Sequence, residues 1–155
     1  MRKFTGLILA LLTALALTAC SGGGEEPYSP DQVQAMADAG AFSETLEEVD
    51  GDTAFALYRL ADYGLVREDL TDCAVLRSSG ATCEEAAVLV FSGEEQAGQA
   101  QKALEDYVQG QITANEDYRP AEIPKLENAG IACRGNTVML VVANDLESAL
   151  SAVEG

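Results

Sequence analysis

The chain has 155 residues, 26 of them acidic and 9 basic, for a net charge of −17. That charge repels nucleic acid and anionic lipid headgroups, and the few basic residues form no cluster along the sequence, so nucleic-acid binding is excluded. The absence of histidine removes Ser–His and Cys–His nucleophile pairs and the commonest transition-metal ligand, and the absence of tryptophan removes the usual platform of a sugar-cleaving carboxylate pair.

At the N-terminus, Arg2 and Lys3 precede an apolar stretch from about Phe4 to Ala16, which closes on Leu17-Thr18-Ala19-Cys20. The pattern is that of a secretory signal, too short for an independent membrane span. Its last four residues resemble a bacterial lipobox. The motif implies cleavage between Ala19 and Cys20 and a diacylglycerol on the Cys20 thiol, placing the chain at the cell membrane, lipid-anchored on the extracytoplasmic face. Two acyl chains, at about 0.8 kcal/mol per buried methylene, suffice to hold a soluble domain there. Residues 1–19 are thus the expected signal peptide and 20–28 the lipidated Cys with a flexible tether, since Ser21 to Pro27 offers nothing apolar to bury. Residues 29–155 are the expected single domain.

Within that domain, Ser29-Pro30-Asp31-Gln32 has the form of a capping box, with Val33, Met36 and Ala37 on one helix face, and predicts a helix from about Pro30 to Ala39, ended by Gly40. The acidic stretch Glu44 to Asp52 closes with Asp50-Gly51-Asp52, a turn sequence. Asp52 is the expected cap of a second helix, roughly Thr53 to Tyr63, striped with Ala54, Leu57, Tyr58 and Ala61 and ended by Gly64.

From Asp72 the period changes. Cys73 to Leu76 and Ala86 to Phe91 predict two strands of a hairpin with a long loop. Ser92-Gly93-Glu94-Glu95 has the form of another capping box, opening a long helix from Gly93 to about Ala114, and the segment Tyr118 to Pro124 breaks it. Gly130 to Arg134 and Thr137 to Val142 flank the Gly135-Asn136 turn, and Asn144 with Glu147 is the expected cap of a last helix carrying Leu146, Leu150 and Val153. The expected class is α+β, a four-stranded antiparallel sheet from two β-hairpin–helix units (ββαββα) with two N-terminal helices packed on it. The uninterrupted apolar runs of the second and fourth strands predict central positions and the order 1-2-4-3. In that order the first strand is an edge open to an added strand. The two C-terminal helices are expected on one face and the two N-terminal helices on the other. Cys73 and Cys133 then lie on opposite edges, three strand spacings or about 14 Å apart, and with Cys83 are expected to be unbridged.

Tyr118, Pro120, Ile123, Lys125-Leu126-Glu127-Asn128-Ala129, Ile131 and Gly135-Asn136 before an apolar strand resemble the C-terminal signature of clostridial lipoproteins of the domain of unknown function 4358 family. Leu57-Tyr58, with Gly64 six residues on, fits the same pattern, and the likeness spans about Thr53 to Val153. The resemblance implies a membrane-attached extracytoplasmic protein and carries no activity, cofactor or catalytic residue.

The residues themselves point the same way. Asp50-Gly51-Asp52 lacks the ligand frame of a calcium loop, and Cys73, Cys83 and Cys133 lack the paired spacing of a zinc site. No glycine-rich phosphate loop is present. The chain is therefore not expected to be an enzyme, and no cofactor or metal is expected. The leading expectation is a non-catalytic protein-interaction module of the cell envelope, held to the membrane through Cys20 and acting on an envelope protein. The alternative is a small-molecule or peptide-binding lipoprotein acting with a transporter. Tyr58, Tyr63, Tyr107 and Tyr118 are read as core residues with their hydroxyls at the boundary, or else as the lining of a ligand groove.

Overall fold

A computed structural model describes residues 25–155. Its elements are α1 (Asp31–Asp38), β1 (Glu47–Glu48), α2 (Gly51–Leu57), β2 (Leu70–Arg77), β3 (Glu85–Phe91), α3 (Glu94–Asn115), α4 (Ile123–Glu127), β4 (Gly130–Arg134), β5 (Thr137–Val142) and α5 (Leu146–Glu154), with short 3-10 turns at Leu60–Tyr63, Arg67–Asp69 and Pro120–Glu122. The fold is α+β. Ala86, Ala87, Val88 and Leu89 of β3, and Val138 to Val142 of β5, are all buried, as a strand covered on both faces requires. These two strands pair at the centre, antiparallel, with Val88 opposite Met139. The sheet has five strands in the order β1-β2-β3-β5-β4, which contains the expected order of the four long strands and adds β1 outside the first.

That addition corrects the four-stranded expectation. β1 is two exposed glutamates, Glu47 and Glu48, set opposite Arg77 and Leu76, and Val49 N–H donates to the Val75 carbonyl at 2.9 Å. The edge expected to be open along Asp72 to Arg77 is therefore taken at its C-terminal half. Val75 is 1 % exposed and belongs to the core, so a proline there would damage the interior and not just the edge.

The helices are also distributed differently. Val75, Ala87, Leu89, Phe91, Val138, Leu140 and Val142 form one core with Ala54 of α2, Tyr58 just after it, Ala97, Ala100, Ala103, Leu104 and Val108 of α3 and Leu126 of α4. Ala86, Val88, Met139 and Val141 form a second core with Val33 and Met36 of α1 and Ala149 and Val153 of α5. Each expected pair is thus split between the faces, α2 and α3 lying with α4 on one and α1 with α5 on the other. The reason lies in the connections. α3 must carry the chain from β3 across β5 to β4, a crossover between parallel strands whose hand fixes its face. α5 leads to no further strand among the described residues, and it covers the face that α1 alone leaves bare.

Three caps move by one or two residues. Asp50, not Asp52, caps α2: its carboxylate accepts from the N–H groups of Asp52 (3.0 Å) and Thr53 (2.9 Å), so Asp50-Gly51-Asp52 is a helix start. Asp145, not Asn144, caps α5 by accepting from Ser148 N–H at 3.0 Å. α3 begins at Gly93 without a side-chain cap, because the Ser92 hydroxyl is turned to Asp69. At α1, Gln32 supplies half of the expected box by accepting from Ser29 N–H at 2.9 Å, and its amide nitrogen donates to the Val153 carbonyl at 3.0 Å, tying α1 to α5. The segment Pro120 to Pro124, expected only as a break, opens α4, since proline fits the first turn of a helix.

Packing begins at Tyr28, which is 5 % exposed. Its N–H donates to Thr137 Oγ1 at 2.8 Å and its ring lies 4.5 Å from the Arg134 guanidinium, which also pairs with Glu25. The N-terminal segment therefore meets the domain at the β4–β5 hairpin.

The cap assignment is testable by equilibrium unfolding. Asp50→Ala should lower the urea midpoint clearly, whereas Asp52→Ala, which loses only a surface pair with Arg67, should leave it nearly unchanged. Equal losses would return the cap to Asp52.

Candidate functional site

α2 stops at Leu57, and Tyr58 and Arg59 turn the chain. Arg59 adopts a left-handed backbone (φ 53°), the one such non-glycine residue among those described. A side chain in that region costs roughly 1 kcal/mol, and such strain gathers at functional surfaces. The turn folds Leu60 to Tyr63 back as a 3-10 segment ended by Gly64 at φ 83°, so Leu57, Tyr58, Arg59, Asp62 and Tyr63 come to face α3. On α3, Ala103, Asp106, Tyr107, Gly110 and Gln111 share one face by their three- and four-residue spacing. Between the two lies an open groove of about 660 Å³. Its rim is Arg59 paired with Asp62, and Tyr63, whose hydroxyl donates to Asp106. Gly110 sits exposed in the wall. A Cβ there would meet nothing within 4 Å, although glycine in a helix interior costs about 1 kcal/mol relative to alanine.

The floor is held from below by a buried carboxylate. Glu85, 2 % exposed, accepts from the hydroxyls of Tyr58 and Tyr107, the latter at 2.8 Å, and Arg77 Nε lies 3.5 Å away. The two rings meet edge to face, centroids 5.1 Å apart at 85°. Burial raises the Glu85 carboxyl above the ordinary glutamate value, the tyrosine hydroxyls and Arg77 opposing the rise only in part. Burial and the neighbouring Glu85 raise both tyrosines, so their hydroxyls keep their protons and serve as donors.

One residue earlier, Glu84 is fully buried. It accepts from Ser43 N–H (2.9 Å), the Ser43 hydroxyl (2.8 Å) and Lys125 Nζ (2.9 Å), and Lys125 also reaches Glu122 at 3.2 Å. Glu122 accepts from Cys83 N–H at 2.9 Å, and Arg119 donates to the carbonyls of Gly80 (2.7 Å) and Thr82 (3.2 Å). Three basic residues scattered in sequence, Arg77, Arg119 and Lys125, are thus gathered around one loop. Each is engaged by carboxylate or carbonyl, so the cluster offers no free charge to a phosphate. The network fastens the β2–β3 loop to α3, α4 and the segment before β1.

Of the four tyrosines weighed from the sequence, Tyr58, Tyr63 and Tyr107 come together at the groove, while Tyr118 stands apart, 80 % exposed beside Arg119. Cys73, Cys83 and Cys133 are unbridged, on β2, before β3 and on β4, and burial pushes each thiol up, away from the reactive thiolate. Among the described residues no group of three metal-ligating side chains gathers, and no helix is long and apolar enough to cross a membrane. Ala19 and Cys20, the expected cleavage and lipidation site, lie outside the described residues.

The raised Glu85 carboxyl has a consequence for stability. In the native state it holds its proton to higher pH than in the unfolded chain, so its penalty is absent below the ordinary glutamate value and grows as pH rises through the native one. Glu44, Asp50 and Asp145 act oppositely. Hydroxyl or backbone donors hold them below their ordinary values, and the stability they give at neutral pH is lost as pH falls through their native values. Thermal unfolding followed by circular dichroism should show a higher midpoint at about pH 5 than at about pH 7.5, before the loss in stronger acid. Glu85→Gln should shrink that difference; an unaltered pH profile would show that Glu85 is not the group responsible.

A family model described as Domain of unknown function (DUF4358) matches residues 43–143. The match runs from Ser43, which holds Glu84, to the residue after β5. It takes in the groove, the buried carboxylates and the whole sheet, and leaves out α1 and α5. No curated protein and no solved structure matches the chain. With roughly two thirds of its length matched, the chain belongs to the DUF4358 family.

Proposed function

We propose that the chain is an extracytoplasmic lipoprotein, anchored in the cell membrane through Cys20, whose domain is a non-catalytic interaction module with the groove between Leu57–Tyr63 and α3 as its contact surface. The likeness to clostridial lipoproteins supports the anchor, as do the charged start, the apolar stretch and Leu17-Thr18-Ala19-Cys20. One observation carries the module reading. The groove joins an aromatic floor to polar groups that already satisfy one another, Tyr58 and Tyr107 on Glu85, Tyr63 on Asp106 and Arg59 on Asp62. Acid–base or nucleophilic catalysis needs a group poised to act on a substrate, whereas an interface needs apolar area and satisfied neighbours. The groove's volume favours a second reading, a small-molecule or peptide-binding lipoprotein that serves a transporter, because about 660 Å³ lies in the range of ligand sites.

Two measurements on the full chain in cells test this. Cys20→Ser should move the protein from the membrane pellet to the soluble fraction with its circular dichroism unchanged; retention in the pellet would refute the lipid anchor. A photo-crosslinking amino acid at Gly110 should give a discrete protein adduct, and one at Ser151 on α5, on the other face, should not. Adducts alike from both positions would refute the groove as the contact surface. Crosslinking only to material of small mass would favour the ligand-binding reading.

A further inference from the structure

We infer that the groove takes a cationic segment of a partner protein, one that sets an Arg or Lys against Tyr63 and Tyr107 beside an apolar side chain passing over Gly110. The inference rests on the module reading above and names the chemistry of its partner. Three observations lead to it. The first is charge. Arg59 neutralises Asp62, but the exposed Asp106 has no cationic partner among the described residues and is met only by the neutral Tyr63 hydroxyl. Its carboxylate is therefore the one acidic group lining the groove that has no ion pair among the described residues, with Lys102 one turn earlier on α3 but not paired to it, in a chain of net charge −17. A cation arriving there gains an ion pair without displacing another, beside the tyrosines that line the groove.

The second observation is shape. The wall on α3 runs through Ala103, Tyr107 and Gly110, two turns of helix, and suits an elongated segment better than a compact molecule. The third is Gly110 itself. Nothing in the fold crowds the place of its missing Cβ, nor that of Gly98 earlier on the same helix, so packing within the chain accounts for neither; of the two, Gly110 alone lines the groove. An incoming segment would use the space. The same charge disfavours other occupants: two copies of so acidic a chain repel one another, as do the chain and anionic lipid headgroups.

The test titrates the detergent-solubilised full chain with two synthetic amphipathic peptides of equal length, one of Leu and Lys and the other of Leu and Glu. Intrinsic tyrosine emission reports binding, free of interference because neither protein nor peptide contains tryptophan. The Lys peptide should bind, more weakly as salt is raised, and the Glu peptide should not. Asp106→Asn keeps an acceptor for the Tyr63 hydroxyl while removing the charge, and should weaken the Lys peptide about tenfold; Gly110→Leu, which fills the groove, should weaken it at least as much. Unfolding midpoints near that of the parent chain confirm that both variants are folded, and Asp106→Asn decides alone if Gly110→Leu is not. Binding of both peptides alike, or of the Lys peptide to the variants as to the parent, would overturn the inference, the latter by showing attraction to the acidic surface at large. If the Gly110 crosslinker yields a protein adduct while the peptides are not discriminated, the cation assignment falls and the module reading stands. If the peptides behave as expected but cells give no adduct, the groove's preference for cations stands and the module reading falls.

Discussion

Two neighbouring carboxylates at the mouth of the central strand, Glu84 and Glu85, organise what surrounds them. Withdrawing a carboxylate from water costs several kcal/mol unless charge and hydrogen bonds replace the lost hydration. Successive side chains on an extended backbone diverge, so the two acids cannot share partners. Glu85 draws Tyr58, Tyr107 and Arg77 together from the end of α2, from α3 and from β2, and Glu84 draws Ser43 and Lys125 from the segment before β1 and from α4. Five separate stretches of chain are thereby held to one dipeptide, and the contents of the aromatic groove follow from what Glu85 needs. A network of this kind contributes little net stability over an apolar core. Its effect is to make every other arrangement of those partners costly, since each would strand a buried charge.

The order of the four long strands was legible because β3 from Ala86 and β5 from Val138 are apolar without interruption, and only a strand covered on both faces reads so. The Gly135-Asn136 turn and the length of α3 were equally plain. β1 was not, because two exposed glutamates carry no pattern and owe their pairing to the neighbouring Arg77 and Leu76. The caps were misplaced where two acceptors compete within a few residues, Asp50 against Asp52 and Asn144 against Asp145, a choice set by backbone geometry and not by composition. The face chosen by each helix depends on the crossover of the connection, which periodicity alone does not encode.

The site was less legible than the fold. Three of its tyrosines were visible as candidates, but the groove exists because the chain reverses at Arg59, and arginine is no signal for a left-handed residue. Glu84 and Glu85 could not be singled out among 26 acidic residues, since burial is a property of the assembled molecule. Arg77, Arg119 and Lys125 lie up to 48 residues apart in the numbering yet converge on one loop, and the sequence spacing that shows no basic cluster says nothing about such convergence.

The attachment of Tyr28 to the β4–β5 hairpin determines how the domain carries load. Tension on the N-terminal segment passes from the Tyr28 N–H to Thr137, the first residue of β5, and through the stacked Arg134 into β4, before it can reach α1. β5 is locked on both sides by neighbouring strands, so the pull is shared across the ladders that join β3, β5 and β4 and does not peel off a terminal helix. Any pull on the N-terminal segment would therefore load the central sheet first, on the face away from α3 and its groove.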